Sequence, residues 1–249
     1  MMRTANPALN AKTFTGLARP VDTTRVMTVQ GTVNKTALML VILLAAASFT
    51  WGKFFETGNP AAVSSWILVG LFGGFVVALV TVFKKVWSPL TAPIYALLEG
   101  LFLGGLSAVF EARFPGIVIQ AVALTFGTLF ALLVAYRSGL IKVTENFKLG
   151  VFAATGGIAL VYMATLVLGF FGVRMPFIHD SGFLGIGFSL FVVVIASLNL
   201  VLDFDFIENG AAGGAPKYME WYAAFGLMVT LIWLYIEILR LLAKLRSRR

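Results

Sequence analysis

Four acidic positions fall in apolar surroundings where an acid is costly. Glu99 sits midway along one run, in PIYALLEGLFLGGLS. Asp203 and Asp205 close a second, in SLNLVLDFDFIE, and Glu237 lies late in a third, in TLIWLYIEILRLL. Ionisable side chains at membrane depth are rare and by default mark ion paths or proton relays. Two carboxyls brought together in a low dielectric cannot both ionise cheaply, so they share a proton and one titrates high. Carboxylates are also the hard-oxygen ligands that calcium takes. The chemistry open to these residues is therefore proton sensing or cation handling, with calcium at Asp203 and Glu237 as one form of it.

Helical geometry sorts the candidates. Asp203 and Asp205 are two positions apart and point to nearly opposite faces. Asn199 precedes Asp203 by one turn and shares its stripe, so Asp203 is expected to face inward and Asp205 to lie at the interface. Gly226, Thr230, Trp233 and Glu237 fall on one face of the last run, and Arg240 is one turn beyond Glu237, a spacing that allows an intrahelical pair. Each candidate also has a plain structural reading. Asp203 and Asp205 could form a solvated helix end, and Glu237 a salt bridge to Arg240. Glu99 could be a neutral acid that ties helices together beside Gly100 and Gly104. Gly70, Gly73, Gly74, Gly156 and Gly157 read as packing positions, since small residues let membrane helices approach closely.

The elements that must carry these residues are seven apolar runs: 36–51, 61–83, 90–110, 117–135, 149–171, 183–202 and 221–242. A hydrocarbon core needs roughly 20 apolar residues in a helix. In lipid the backbone must satisfy its own hydrogen bonds, so runs of this length become helices. Apolar residues make up 59% of the chain and charged residues 12%, about half the share of a soluble domain. The expected fold is an all-α, seven-helix transmembrane bundle over residues 36–249. Residues 1–35, polar and punctuated by Pro7 and Pro20, read as a disordered cytoplasmic tail.

Charge in the short loops sets orientation. With the amino terminus inside, eleven Lys and Arg lie in inward segments, and only Lys53, Arg113 and Arg174 lie in outward loops. Seven crossings then place the basic end, Arg240, Lys244, Arg246, Arg248 and Arg249, outside. Either these side chains snorkel to the far interface, or the last segment re-enters and returns to the cytoplasm.

Much chemistry is set aside. The chain has no cysteine, which removes disulfides, thiol catalysis and thiolate metal sites. His179 is the only histidine and reads as a loop residue. No nucleotide-binding loop, catalytic triad or zinc-protease motif is present, so neither an enzyme nor a bound cofactor is expected. The net charge of +8 fits topology and anionic lipid better than nucleic acid in so apolar a chain.

The order LVLDFDFIE, short loop, LYIEILRLL and basic tail resembles the Bax inhibitor-1 family with its YccA-like bacterial branch. APIYALLEGLFLG, YMEWYAAFGLMVTLIWLYIEILRLL and the NPAL of the tail look like a bacterial subgroup. The resemblance covers nearly the whole chain. It implies a central last helix and a pH-sensitive calcium leak in the cell (inner) membrane. It also implies a gate formed by an acid ending the sixth helix and a second in the last. The first acid maps onto Asp203. The second maps onto Glu237, or, in the competing alignment, onto Thr230, and then the paired acids are absent. Two rivals stand beside this reading: a regulator whose residues 1–35 dock a membrane quality-control protease, as the resemblance to the YccA-like branch implies, and a proton-coupled cation exchanger.

The loop charges make a direct prediction. Reporter tags at the amino terminus and at Lys142 should be cytoplasmic, and a tag after Arg249 external. A cytoplasmic carboxyl terminus would defeat seven crossings and favour re-entry.

Overall fold

The computed structural model describes residues 26–172 and 182–248. Residues 1–25 with the NPAL motif, Arg174 and His179 lie outside them. The protein is an all-α, seven-helix membrane bundle. Its helices are α1 (Val29–Thr57), α2 (Ala61–Phe83), α3 (Ser88–Arg113), α4 (Ile117–Arg137), α5 (Glu145–Phe170), α6 (Phe183–Ala212) and α7 (Met219–Ser247). All seven are long and apolar enough to cross a membrane, and α7 is the most buried of them. A single 3-10 turn, Lys85–Trp87, leads into α3.

Several boundaries differ from the sequence expectation. Helix α1 starts seven residues before the expected Thr36, because Thr28 caps it: its Oγ accepts the Gly31 N–H at 2.9 Å. Residues 26–35 thus belong to the ordered protein. Asp203 and Asp205 do not end a helix, because α6 continues to Ala212. The expected flexible NGAAGGAP connector is in part the last turn of α6. Its remainder is tied down: Met27 N–H donates to the Ala215 carbonyl at 2.6 Å, and Val26 pairs with Pro216. Finally, α7 is one unbroken helix of 29 residues, about 43 Å long.

The chain forms two compact units, and α6 and α7 each pass from one to the other. One unit holds α1–α3, the end of α6 from Phe206 and the start of α7 to Val229. Helices α1 and α2 both pack on α3, at glycines. A Cβ on Gly100 would strike the Leu43 carbonyl of α1, and one on Gly104 the Ala47 carbonyl. A Cβ on Gly70 of α2 would lie 2.5 Å from the Leu98 carbonyl oxygen of α3. These glycines do what small residues do in membranes: they let backbones touch. Gly156 and Gly157 differ, since a Cβ there meets nothing within 4 Å.

The same unit contains a buried acid that stands just before an expected span. Glu220, in the first turn of α7, is fully buried. Its carboxylate accepts the Thr28 N–H and the Thr28 hydroxyl, each at 2.9 Å, and pairs with Lys35 and, at 2.9 Å, with Lys217. Gly31 leaves the room, because a Cβ there would overlap the carboxylate. Ser88 adds a hydrogen bond to the Tyr218 carbonyl at 3.0 Å. The start of α1 and the first turn of α7 are thereby joined through one charge, and the first turn of α3 is tied to the residue before α7.

Removing one member of a buried charge cluster leaves the others uncompensated. Glu220→Gln should lower stability by about 3 kcal/mol, read as thermal unfolding in detergent. A loss below about 0.5 kcal/mol, the scatter of ordinary surface changes, would show that the cluster adds nothing.

Candidate functional site

The second unit comprises α4, α5, α6 up to Asp205 and α7 from Thr230. Its polar side chains are arranged along α5. Thr144 caps this helix by accepting the Phe147 N–H at 3.2 Å, and Glu145 occupies the favourable first-turn position. Lys148, Thr155 and Tyr162 follow at seven-residue intervals, so they lie two turns apart on one face. Each meets a polar partner. Lys148 Nζ lies 3.1 Å from Asp205 and 3.6 Å from Glu145. The Asn199 amide donates to Thr155 Oγ at 2.9 Å and to its own Ile195 carbonyl at 2.9 Å. The Tyr162 hydroxyl donates to Glu237 at 3.0 Å.

The result is a polar ladder with rungs about 10 Å apart. Arg240 completes the third rung, 3.1 Å from Glu237 and 5.8 Å above the Tyr162 ring. The intrahelical pair expected from the sequence is present, with Tyr162 as an added partner. The Glu237 side chain is 2% exposed and that of Arg240 49% exposed, so a deep acid holds a cation that reaches outward. One further contact lies beyond: Lys244 donates to Ser189 Oγ at 2.8 Å and to the Gly185 carbonyl at 3.0 Å. The ladder is not continuous. Ile158, Val192 and Ile195, packed with Trp233, form an apolar layer between the second and third rungs.

Each sequence candidate has a definite place. Asp203 is fully buried and Asn199 nearly so, while the Asp205 side chain is 18% exposed and paired with Lys148. Glu99 is half-buried in the other unit. It does not pack on the face of Gly100 and Gly104, which belongs to α1. Its carboxylate covers Gly74 of α2, where a Cβ would lie 2.8 Å from Oε1, and Tyr95, one turn earlier, is its hydrogen-bond partner.

The expected pairing of Asp203 with Glu237 is not what this geometry provides. Asp205 is level with Lys148 and Glu237 with Tyr162, fourteen residues apart on α5. Allowing for the two positions from Asp203 to Asp205, the two acids stand about 18 Å apart along the helix axis. Groups at that distance cannot share a proton. Thr230, also buried, is closer in height to Asp203. It lies three residues before Trp233, which packs at the Ile158–Ile195 level, and so falls near the Asn199 rung. Sequence reasoning missed Lys148, Thr155 and Tyr162. Their seven-residue spacing was the available signal. Among the described residues, no three His, Cys, Asp or Glu side chains gather as a metal site.

The sequence profile of the family described as Bax inhibitor 1 like matches residues 6–247. No curated protein matches the chain.

The third rung can be weighed by one atom. Tyr162→Phe keeps the ring and removes the donor to Glu237. Hydrogen bonds within membrane proteins average about 0.6 kcal/mol and reach about 1.7. A charged acceptor favours the upper end. Loss of about 1–1.5 kcal/mol in unfolding is expected, with Tyr162→Leu worse. Unchanged stability in Tyr162→Phe would mean that water replaces the hydroxyl and the rung is wet.

Proposed function

The chain belongs to the Bax inhibitor 1 like family, and on that membership together with the ladder on α5 we propose that it is a pH-sensitive cation leak, carrying calcium across the cell (inner) membrane. The observation that carries the reading is the ladder itself. Polar and charged groups are placed at intervals through an otherwise apolar unit, from Asp205 past Asn199 to Glu237. A protein that only spanned the membrane would have no need of them, and each has a cost in lipid. The amino terminus is taken as cytoplasmic, so the Lys148–Asp205 rung is the inner end and Arg240 the outer.

The gate in this reading differs from a proton-sharing pair. Two acids each hold a cation of their own: Asp205 holds Lys148 and Glu237 holds Arg240. Protonating a carboxylate removes the charge that holds its partner, so proton concentration bears on each rung separately. The apolar layer of Ile158, Val192 and Ile195 is the barrier a cation must cross. An apolar constriction conducts only when it widens enough to hold water. Helices held by fewer charges are freer to make that change.

The test is calcium uptake into proteoliposomes between about pH 5 and pH 8. Folded wild type should take up calcium in a pH-dependent way. Asp205→Asn and Glu237→Gln should each flatten the profile. Sites more than about 7–10 Å apart without shared partners act additively. The double variant should therefore be flatter than either single one, whereas a shared-proton pair would make it no worse. Unchanged profiles in both single variants would sink the sensor assignment. No uptake by folded wild type would move the reading to a regulator of a membrane protease.

A further inference from the structure

Lys148 is out of keeping with its position. It lies on the first turn of α5 and is only 6% exposed. Burying an ammonium costs desolvation, and burying a four-carbon stem costs rotamer freedom. A plain helix start does not need it, because Thr144 already caps α5. What it does have is two acids. Asp205 is 3.1 Å from Nζ with its side chain 18% exposed, and Glu145 is 3.6 Å away and 63% exposed. The two carboxylates lead from solvent to the buried amine, and the amine stands at the first rung, below Thr155 and Asn199.

From this geometry we infer that Lys148 is a tethered counter-cation that occupies the inner end of the ladder and sets how readily a mobile cation can enter. The inference rests on the leak reading. The ammonium neutralises the acid that would otherwise attract a cation, and it repels any second positive charge at close range. A calcium ion would have to displace an amine that cannot diffuse away. Lys148 therefore acts as a specificity-determining residue through charge and place, without itself being carried.

Removing the amine should open the end to cations. Lys148→Gln should raise calcium uptake into proteoliposomes about tenfold, a modest part of the Coulomb repulsion a unit charge exerts over this distance. Lys148→Arg keeps the charge and should behave as wild type. The double variant Lys148→Gln with Asp205→Asn should lose the gain. A second readout does not depend on flux. In detergent, added calcium should raise the unfolding temperature of Lys148→Gln, leave wild type unmoved, and leave the double variant unmoved. If no protein conducts but this calcium-dependent shift appears, the leak reading fails, while Lys148 still governs cation binding at this end of the ladder. Should Lys148→Gln fail to fold, the cysteine-free sequence offers another route. Lys148→Cys can be modified with an aminoethyl thiosulfonate reagent, which restores an ammonium, or with a neutral methyl one. The first adduct should show slow uptake and the second fast. The inference is overturned if Lys148→Gln matches wild type in both uptake and calcium response, or if the two adducts behave alike.

Discussion

Lipid offers no hydrogen bond. Every polar group carried into the hydrocarbon must find its partner within the protein. That constraint makes the seven runs helices, and it also explains why their few polar side chains come in matched sets. Asn199 has Thr155, Glu237 has Tyr162 and Arg240, Asp205 has Lys148, and Glu220 has Thr28 and two lysines. Such matching is local and directional. It fixes the height of one helix against another far more tightly than apolar contact does, because leucines slide past one another at little cost and charged pairs do not. The ladder on α5 is thus a ruler for α6 and α7 as well as a chain of polar groups.

The two units use different means of cohesion. In one, α1 and α2 meet α3 where glycines remove the side chain and allow backbone contact. In the other, α5 carries few such approaches, and its glycines at 156 and 157 face open space. There the joining is done by the rungs and by the small apolar layer around Ile158. A region held by glycine contact is stiff, because its close fit extends along a whole helix. A region held by separated polar rungs can change at one level and leave the next intact. A change of state is more natural in the second kind.

What the residues revealed in advance was the architecture and the direction in which single side chains point. Seven spans follow from length and hydropathy, and the inward Asp203 follows from its one-turn spacing to Asn199. What stayed hidden was height. A one-dimensional pattern gives the face of a helix but not which turn of its neighbour lies alongside, so Asp203 and Glu237 looked like partners when helix rise separates them. Lys148 was hidden because reading α5 from Leu149 placed it in the loop, though the cap at Thr144 extends the helix to include it. Glu220 was hidden in the same way: an acid between Tyr218 and Trp221 looks like interface, and only the return of residues 26–28 to that place buries it.

That return has a consequence in time. Thr28 and Glu220 are 192 residues apart in sequence, yet Glu220 accepts both the N–H and the hydroxyl of the residue that caps α1. A ribosome adds about 5–20 residues per second. The first helix therefore enters the membrane on the order of 10–40 s before the acid that completes its start exists. During that interval Lys35 lacks its buried counter-charge, and α1–α3 must hold together on their glycine contacts and the apolar cluster of Phe54, Val63 and Ala108. The close backbone packing of these three helices is then a requirement of synthesis as much as of the finished protein. The last helix finishes a structure that has already had to wait for it.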